Sequence, residues 1–259
     1  MDPLLAIDIG NTHIKLGLWL DGSWREEWRL STDVRRTADE YRISLHSLLH
    51  QVGLEGVRRC AIASVVPLLT PIFMRVGEVL SELPPIEIQP PGYGMAVDYV
   101  PPDSLGADRF VNALAAWHKV QAAVVVVDVG TTATVDAVSW EGRFLGGAIA
   151  PGPHFLAQAL AQGTAKLPLV APTIPDLALG RNTAAAVSVG VGHGFVGMVR
   201  ELVTRTWKAL GEEAPVVLTG GWSQRLLPWL HFPARLEPKL TLDGLRYAVE
   251  WLEREGRPE

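Results

Sequence analysis

Cysteine is nearly absent from this chain of 259 residues: Cys60 stands alone. A single thiol excludes an intramolecular disulfide and any zinc site built on cysteine pairs. Its setting, Arg58-Arg59-Cys60-Ala61-Ile62-Ala63, reads as a strand, where a small buried thiol is expected rather than a nucleophile. Uninterrupted apolar runs of about 18 residues are missing too, so no membrane span is read. Leu4 to Ile7 is too short for the apolar core of a secretory signal, and Asp8 interrupts it. Together these absences point to the cytoplasm. Long basic runs are missing as well. The net charge is −5 and the basic residues are scattered, which argues against nucleic acid and against an anionic membrane surface. Lysine is scarce beside arginine, 5 of the 23 basic residues, while proline numbers 19. That bias suits a GC-rich or thermophilic source and says nothing about activity.

What the chain does contain is a repeat. Asp8-Ile9-Gly10-Asn11-Thr12 follows the apolar run Leu4-Leu5-Ala6-Ile7, and Asp128-Val129-Gly130-Thr131-Thr132 follows Val124-Val125-Val126-Val127. Each continues through a second apolar stretch to an acidic-Gly turn, Asp21-Gly22 or Glu141-Gly142, at a constant offset of 120 residues (128 − 8, 142 − 22). The pattern predicts strand, tip, strand, turn and strand, twice over. A carboxylate at the end of a buried strand costs desolvation energy and calls for a cation. Glycine lets the backbone approach a ligand closely, and successive N–H groups with a Thr hydroxyl form an anion-binding concavity. One such tip could be an ordinary hairpin with a surface Asp; two at a fixed offset point to a duplicated phosphate-binding device.

The remaining elements follow from periodicity. Strands are predicted over 4–9, 14–20, 23–30, 57–65, 123–129, 133–140, 143–150 and 216–219. Helices are predicted over 38–52, 71–83, 105–119 (capped by Asp103 or Ser104), 153–162, 183–210, 223–230 and 242–254, with 256–259 frayed. Residues 84–102, with six prolines, and 166–180 read as loops. A boundary near 118–122 gives an N-terminal half, 1–118, and a C-terminal half, 119–259. No flexible linker separates them.

Other nucleotide motifs are missing: there is no Gly-x-x-x-x-Gly-Lys-Ser/Thr loop and no Gly-x-Gly-x-x-Gly after a strand. Gly220-Gly221, after a strand and before a helix, could admit the flat face of a base or ribose. Gly106-Ala107-Asp108-Arg109 opens a helix, where the dipole favours Asp108. Asp108 could accept the proton of a substrate hydroxyl, Arg109 could orient an anionic group, and Tyr99 could close the pocket. His46 and His50 share a helix face without a third ligand and read as solvated positions. His13, beside the first tip, could touch a phosphate.

Four segments, Asp8-Ile9-Gly10-Asn11-Thr12, Gly106-Ala107-Asp108-Arg109, Asp128-Val129-Gly130-Thr131-Thr132 and Gly180-Arg181-Asn182-Thr183, together resemble the type III pantothenate kinases of the acetate and sugar kinase/Hsc70/actin superfamily. The resemblance covers essentially the whole chain. It implies an α/β fold of duplicated ribonuclease H-like (actin-like ATPase) domains, with mixed sheets, flanking helices and a cleft between the halves. It implies ATP-dependent phosphorylation of pantothenate, the first step of coenzyme A synthesis. Asp8, Ile9, Gly10, Asn11, Thr12, His13, Ile14 and Lys15 would form the first phosphate hairpin, with Asp8 near the magnesium of the nucleotide. Thr131 would contact ATP, joined by Gly220 and Gly221. Asp128 would bind a monovalent cation, potassium or ammonium. Asp108 would be the general base, and Tyr99, Gly106, Ala107, Arg109 and Thr183 would hold pantothenate. Family members are homodimers. One departure stands out: after Thr131 the family commonly has Ala then Thr, so Thr132 and Ala133 are exchanged. Two other readings use the same scaffold, a nucleotide-binding accessory factor for transcription and a phosphatase of the superfamily.

Overall fold

The computed structural model describes residues 2–255; the expectation of fraying over 256–259 lies outside them. Packing divides the chain into two compact units, residues 1–115 with 239–259, and residues 116–238.

The first unit begins with β1 (Leu4–Ile9), β2 (His13–Leu20) and β3 (Ser23–Ser31), an antiparallel meander. Helix α1 (Ala38–Gln51) follows, then β4 (Arg59–Ser64), α2 (Thr70–Leu80) and the two-residue strands β5 (Ile86–Glu87) and β6 (Ala96–Val97). The sheet runs β3-β2-β1-β4-β5, with β1 antiparallel to β2 and parallel to β4. One face buries Ile7, Ile9, Ile14, Leu16, Leu18 and Ile62 against Tyr41 and Leu45 of α1 and Phe73 and Val76 of α2. Each such side chain removed from water contributes about 1.5–3 kcal/mol. Cys60 is fully buried in this core, and burial pushes its thiol up to about 12, so it is an inert packing group as expected. Helix α1 starts where the sequence places it because Thr37 and Glu40 form a reciprocal cap, Thr37 N–H donating to Glu40 Oε2 at 2.7 Å and Glu40 N–H to Thr37 Oγ1 at 3.3 Å.

Helix α3 (Ala107–Val120) begins two residues later than its periodicity suggests. Asp103 and Ser104 do not cap it. They belong to a separate 3₁₀ turn, Pro102–Ser104, in which Ser104 Oγ donates to Pro101 O at 2.6 Å, and extended Leu105 interrupts the helical path.

The second unit repeats the meander as β7 (Val124–Val129), β8 (Thr132–Val138) and β9 (Arg143–Pro151). Helices α4 (Pro153–Gly163) and α5 (Thr183–Leu210) follow, then β10 (Val216–Thr219), α6 (Ser223–Leu226) and β11 (Ala234–Leu236). Within this unit the sheet runs β11-β10-β7-β8-β9, with β10 parallel to β7. Helix α5 is long and apolar enough to cross a membrane by length and composition. Phe195, Val196, Val199 and Val203 are instead buried on the sheet with Val125, Val127 and Val135, and Val187 and Val191 with Ala157 of α4. The helix expected over 223–230 stops at Leu226 and continues as a 3₁₀ turn, Leu227–Trp229, because Pro228 brings no N–H. Strand β11 carries only three residues and has no period to read.

Helix α7 (Leu240–Glu255) is the last element among the described residues. By sequence it belongs to the segment 119–259; by packing it joins the first unit, against β1 and β4. Trp24 Nε1–H donates to Asp243 Oδ1 at 2.7 Å, and a Cβ on Gly244 would lie 2.0 Å from Val111 O. That close approach requires glycine.

The offset of 120 residues conceals a slip. Ile9 faces Ile14, but Val129 faces Ala133, so the first tip encloses residues 10–13 and the second only 130–132. The next turn restores the count: Trp19 pairs with Trp24 across 20–23, while Val138 pairs with Phe144 across 139–143. Between these points Thr134 stands in the place of Lys15, and Asp136 in that of Gly17. The cores agree, since Ala133 and Val135 occupy the inward places of Ile14 and Leu16. The apparent exchange of Thr132 and Ala133 therefore falls at a shortened tip.

Gly244→Ala tests the seat of α7. Overpacking against backbone costs about 1–3 kcal/mol. A lowered urea midpoint is expected, and an unchanged midpoint would show that α7 does not hold this position.

Candidate active site

The first tip is built by backbone. Gly10 N–H donates to His13 O at 3.1 Å, Thr32 N–H to Thr12 O at 3.1 Å, and Thr32 Oγ1 to Gly10 O at 2.6 Å. Val65 N–H closes on Ile9 O at 3.0 Å. Asn11, Thr12 and His13 are thereby held exposed at the strand ends, while Ile9 and Ile14 anchor the loop in the core. Asp8 is 5% exposed, and its Oδ2 lies 3.3 Å from Nζ of Lys15, its cross-strand partner. The cation that a buried carboxylate needs is here supplied by the chain itself. Burial, and then the neighbouring Arg29 and Lys15, hold His13 below the ordinary histidine value, which favours its neutral form.

The same unit gathers the second group of expected residues. Asp108 is half-buried in the first turn of α3, and its Oδ1 accepts from Arg109 N–H at 2.8 Å. A Cβ on Gly106 would stand 2.7 Å from that oxygen, so glycine there leaves room for the carboxylate. Arg109 is 5% exposed; its Nη1 donates to Tyr99 Oη at 3.3 Å, with Cζ 5.3 Å from the centre of the Tyr99 ring. Ala107 is buried behind this group. Tyr99, ten residues before Arg109, thus meets the start of α3 in one cluster. It offers a carboxylate for a hydroxyl proton, a guanidinium for an anionic group, and a phenol that fixes the guanidinium.

In the second unit the tip is again closed by backbone, Gly130 N–H donating to Thr132 O at 2.9 Å, and Thr131 is exposed. Asp128 faces Thr134 on one side and Thr219 on the other, hydroxyl residues where the first tip has Lys15. Gly220 lies beside it with φ +93; a Cβ there would be 2.3 Å from Asp128 Oδ1 and 2.5 Å from Val129 O. Ser223 Oγ donates to Gly220 O at 2.6 Å, and Trp222 N–H to Val129 O at 3.0 Å, which pins the Gly220-Gly221 turn to the tip. Gly221 has open space at its Cβ position. Thr183 is the first residue of α5, exposed, after the cap made by Asn182 Oδ1 on Ala185 N–H at 2.9 Å.

Gly152 was not read from sequence as part of this site. Its N–H donates to Thr131 O at 3.1 Å, and a Cβ would approach Gly130 O and Thr131 O to 2.5 Å. It seats the start of α4 on the second tip; the segment Pro151-Gly152-Pro153 was the available signal. His46 and His50 are exposed on α1, each near Glu55, at 3.3 and 3.8 Å. Among the described residues no group of three or more His, Cys, Asp or Glu is placed to hold a metal.

Solved structures share this architecture. A Campylobacter jejuni protein assigned to a Baf family of transcriptional activators superimposes with a TM-score of 0.62 at 20% identity, over 97% of this chain and 98% of that one. An inorganic polyphosphate/ATP-glucomannokinase from Arthrobacter sp. strain KM gives 0.51 at 15% identity, over 98% and 100%. At these identities the likeness speaks for fold alone, and the fold is that of the actin-like ATPases and sugar kinases, with duplicated ribonuclease H-like domains. The family model of the type III pantothenate kinases matches residues 4–205. Proteins of that name from Moorella thermoacetica and Geobacter sulfurreducens are 39% and 40% identical over 250 and 251 residues, covering 95% of this chain and 98% of each relative. The chain belongs to the type III pantothenate kinase family, and so to the phosphotransferases.

Gly220→Ala probes the second tip. An L-residue at φ +93 is strained, and the added methyl would displace Asp128. Nucleotide affinity is expected to fall at least tenfold; affinity within twofold of wild type would detach Gly220 from the site.

Proposed function

We propose that this protein transfers the γ-phosphoryl group of ATP to the primary hydroxyl of pantothenate, giving 4′-phosphopantothenate, the first step of coenzyme A biosynthesis. The carrying observation, in a member of this family, is the cluster at the start of α3: Asp108, Arg109 and Tyr99, with Gly106 opening space at the Asp108 carboxylate. The cluster has a proton acceptor and an anion holder side by side, which suits an acceptor bearing both a hydroxyl and a carboxylate.

Pantothenate is held by Tyr99, Gly106, Ala107, Arg109 and Thr183. Asp108 accepts the hydroxyl proton as the new O–P bond forms and the bridging bond from the β-phosphate breaks, so that ADP leaves. The proton moves late, so the carboxylate needs no raised pKa. At the first tip, the hairpin from Asp8 to Lys15 takes the phosphate, with the exposed Asn11 and Thr12 at its end and the Lys15 ammonium donating to phosphate oxygens. Asp8 would stand near the magnesium ion that accompanies the nucleotide, whose charge would offset that of the phosphates. Thr131, Gly220 and Gly221 take the nucleotide at the second tip.

A monovalent cation, potassium or ammonium, is assigned to Asp128. The residues suit it: a carboxylate at a strand end whose cross-strand neighbours are Thr134 and Thr219, with hard oxygen donors and no lysine opposite. Bound there, the cation supplies positive charge to the phosphate site. The segments 1–118 and 119–259 are proposed as the two halves of the duplication in chain order. The enzyme is proposed to be a cytoplasmic homodimer.

Two substitutions test the assignments. Asp108→Asn is isosteric and removes the proton acceptor, so kcat should fall about 10²–10⁴-fold. ATP binding measured by calorimetry should persist; near-wild-type turnover of the folded variant would refute the base. Asp128→Ala should abolish stimulation by potassium over sodium. A variant that still distinguishes the two salts as wild type does would remove the cation from Asp128.

A further inference from the structure

Strand register sorts the outer face of the first sheet, opposite its apolar core, into rows. Ala6, Gly17 and Glu27 form one row. Helix α7 covers it: Leu242 Cδ1 lies 2.7 Å from where a Cβ on Gly17 would stand, and Lys239 pairs with Glu27. The next row toward the tip is Ala63, Asp8, Lys15 and Arg29. His13 and Ser31 form the row at the tip itself.

The middle row is unusual in its charges. Lys15 and Arg29 stand directly opposite each other on adjacent strands, where like charges repel and destabilise a sheet. Asp8 pairs with Lys15 at 3.3 Å and balances one positive charge. The Arg29 guanidinium is exposed, and among the described residues no carboxylate stands within ion-pair distance of it. Trp28 and Leu30, its neighbours in sequence, pack on the apolar core, so β3 is anchored and Arg29 is presented on the outer face. The second charge is felt at the tip, where Arg29 and Lys15 both disfavour the protonated form of His13. Such a row is unfavourable by itself and suited to an anion carrying several oxygens. A planar guanidinium can grip two of them at once.

We infer that Arg29 is a phosphate-binding residue, which with Lys15 receives the terminal phosphates of the nucleoside triphosphate at the first tip. The identity of the nucleotide rests on the kinase reading above; the anion site rests on the row of charges. Arg29 lies outside the Asp-x-Gly-x-Thr motif and reaches the tip only through the pairing of β2 with β3.

The test is equilibrium binding of ATP, inorganic tripolyphosphate and adenosine, by calorimetry, to wild type, Arg29→Gln, Arg29→Lys and Arg42→Gln. Arg42 is an arginine of α1 paired with Asp39 and serves as the charge-matched control. Arg29→Gln should weaken ATP and tripolyphosphate about tenfold or more, the usual size of a lost charge-assisted contact. Adenosine binding should stay within twofold. Arg29→Lys should recover part of the loss, and Arg42→Gln should match wild type. The ligand-free Arg29→Gln protein should unfold no earlier than wild type, because a repulsion has been removed. ATP affinity of Arg29→Gln within twofold of wild type, an equal loss for adenosine, or an equal loss in Arg42→Gln would each overturn the assignment. If wild type bound ATP but formed no phosphopantothenate, the kinase reading would fail, and the binding comparison would still decide the role of Arg29.

Discussion

Asp8 is the penultimate residue of a strand whose every side chain is buried, and the residue opposite it across β1 and β2 is Lys15. A carboxylate desolvated in this way is tolerable only with a positive partner, and the pairing fixes which residues stand at the tip. From that register follow the positions of Gly10 and Thr12, the exposure of His13, and the burial of Ile14 and Leu16 against α1 and α2. A slip of one residue would turn the apolar set outward and the charges inward, so core and tip depend on a single alignment. The second unit solves the same problem differently. Its tip is one residue shorter, Thr134 faces Asp128, and no lysine is provided. One half carries a built-in cation, and the other presents a carboxylate among hydroxyl residues. The two tips thus differ in electrostatic character because the residue opposite the carboxylate is Lys15 in one and Thr134 in the other.

The cluster at the start of α3 depends on a different constraint. Arg109 and Tyr99 are held by each other, and Gly106 is required by the position of Asp108. Helix α3 supplies the rigid part, and the proline-rich segment supplies the approach of Tyr99. Such segments carry function because a fixed loop can bring a side chain to a helix start that no regular element would reach. Helix α7 packs on β1 and β4, where Gly17 admits Leu242, and its Gly244 lies against Val111 O of α3.

Much of this was legible from residue order. The strands around both tips, the ends of α5 and β10, the capped start of α1 and the inert burial of Cys60 follow from periodicity, capping residues and turn residues. Asp8, Asp108 and Asp128 stood out in the sequence because each carboxylate lies within two residues of a glycine. The errors have local causes. A 3₁₀ turn takes up Asp103 and Ser104 and the extended Leu105 separates them from α3, Pro228 cuts α6 short, and β11 has too few residues to show a period.

Residue order alone determined that the chain holds two related strand–tip–strand segments with an Asp at each, because hydrophobic period and turn chemistry are local properties. Tertiary structure decided what those carboxylates face. The loss of a residue at the second tip and its return at the following turn leave the spacing of 120 unchanged, so no count along the chain exposes the slip. Cross-strand pairing does, since a hydrogen-bonded ladder sets each residue against one partner. The same pairing sets Arg29 beside Lys15, and packing, not chain order, places α7 with the first unit: these are contacts between residues far apart in sequence, and only the folded chain selects them.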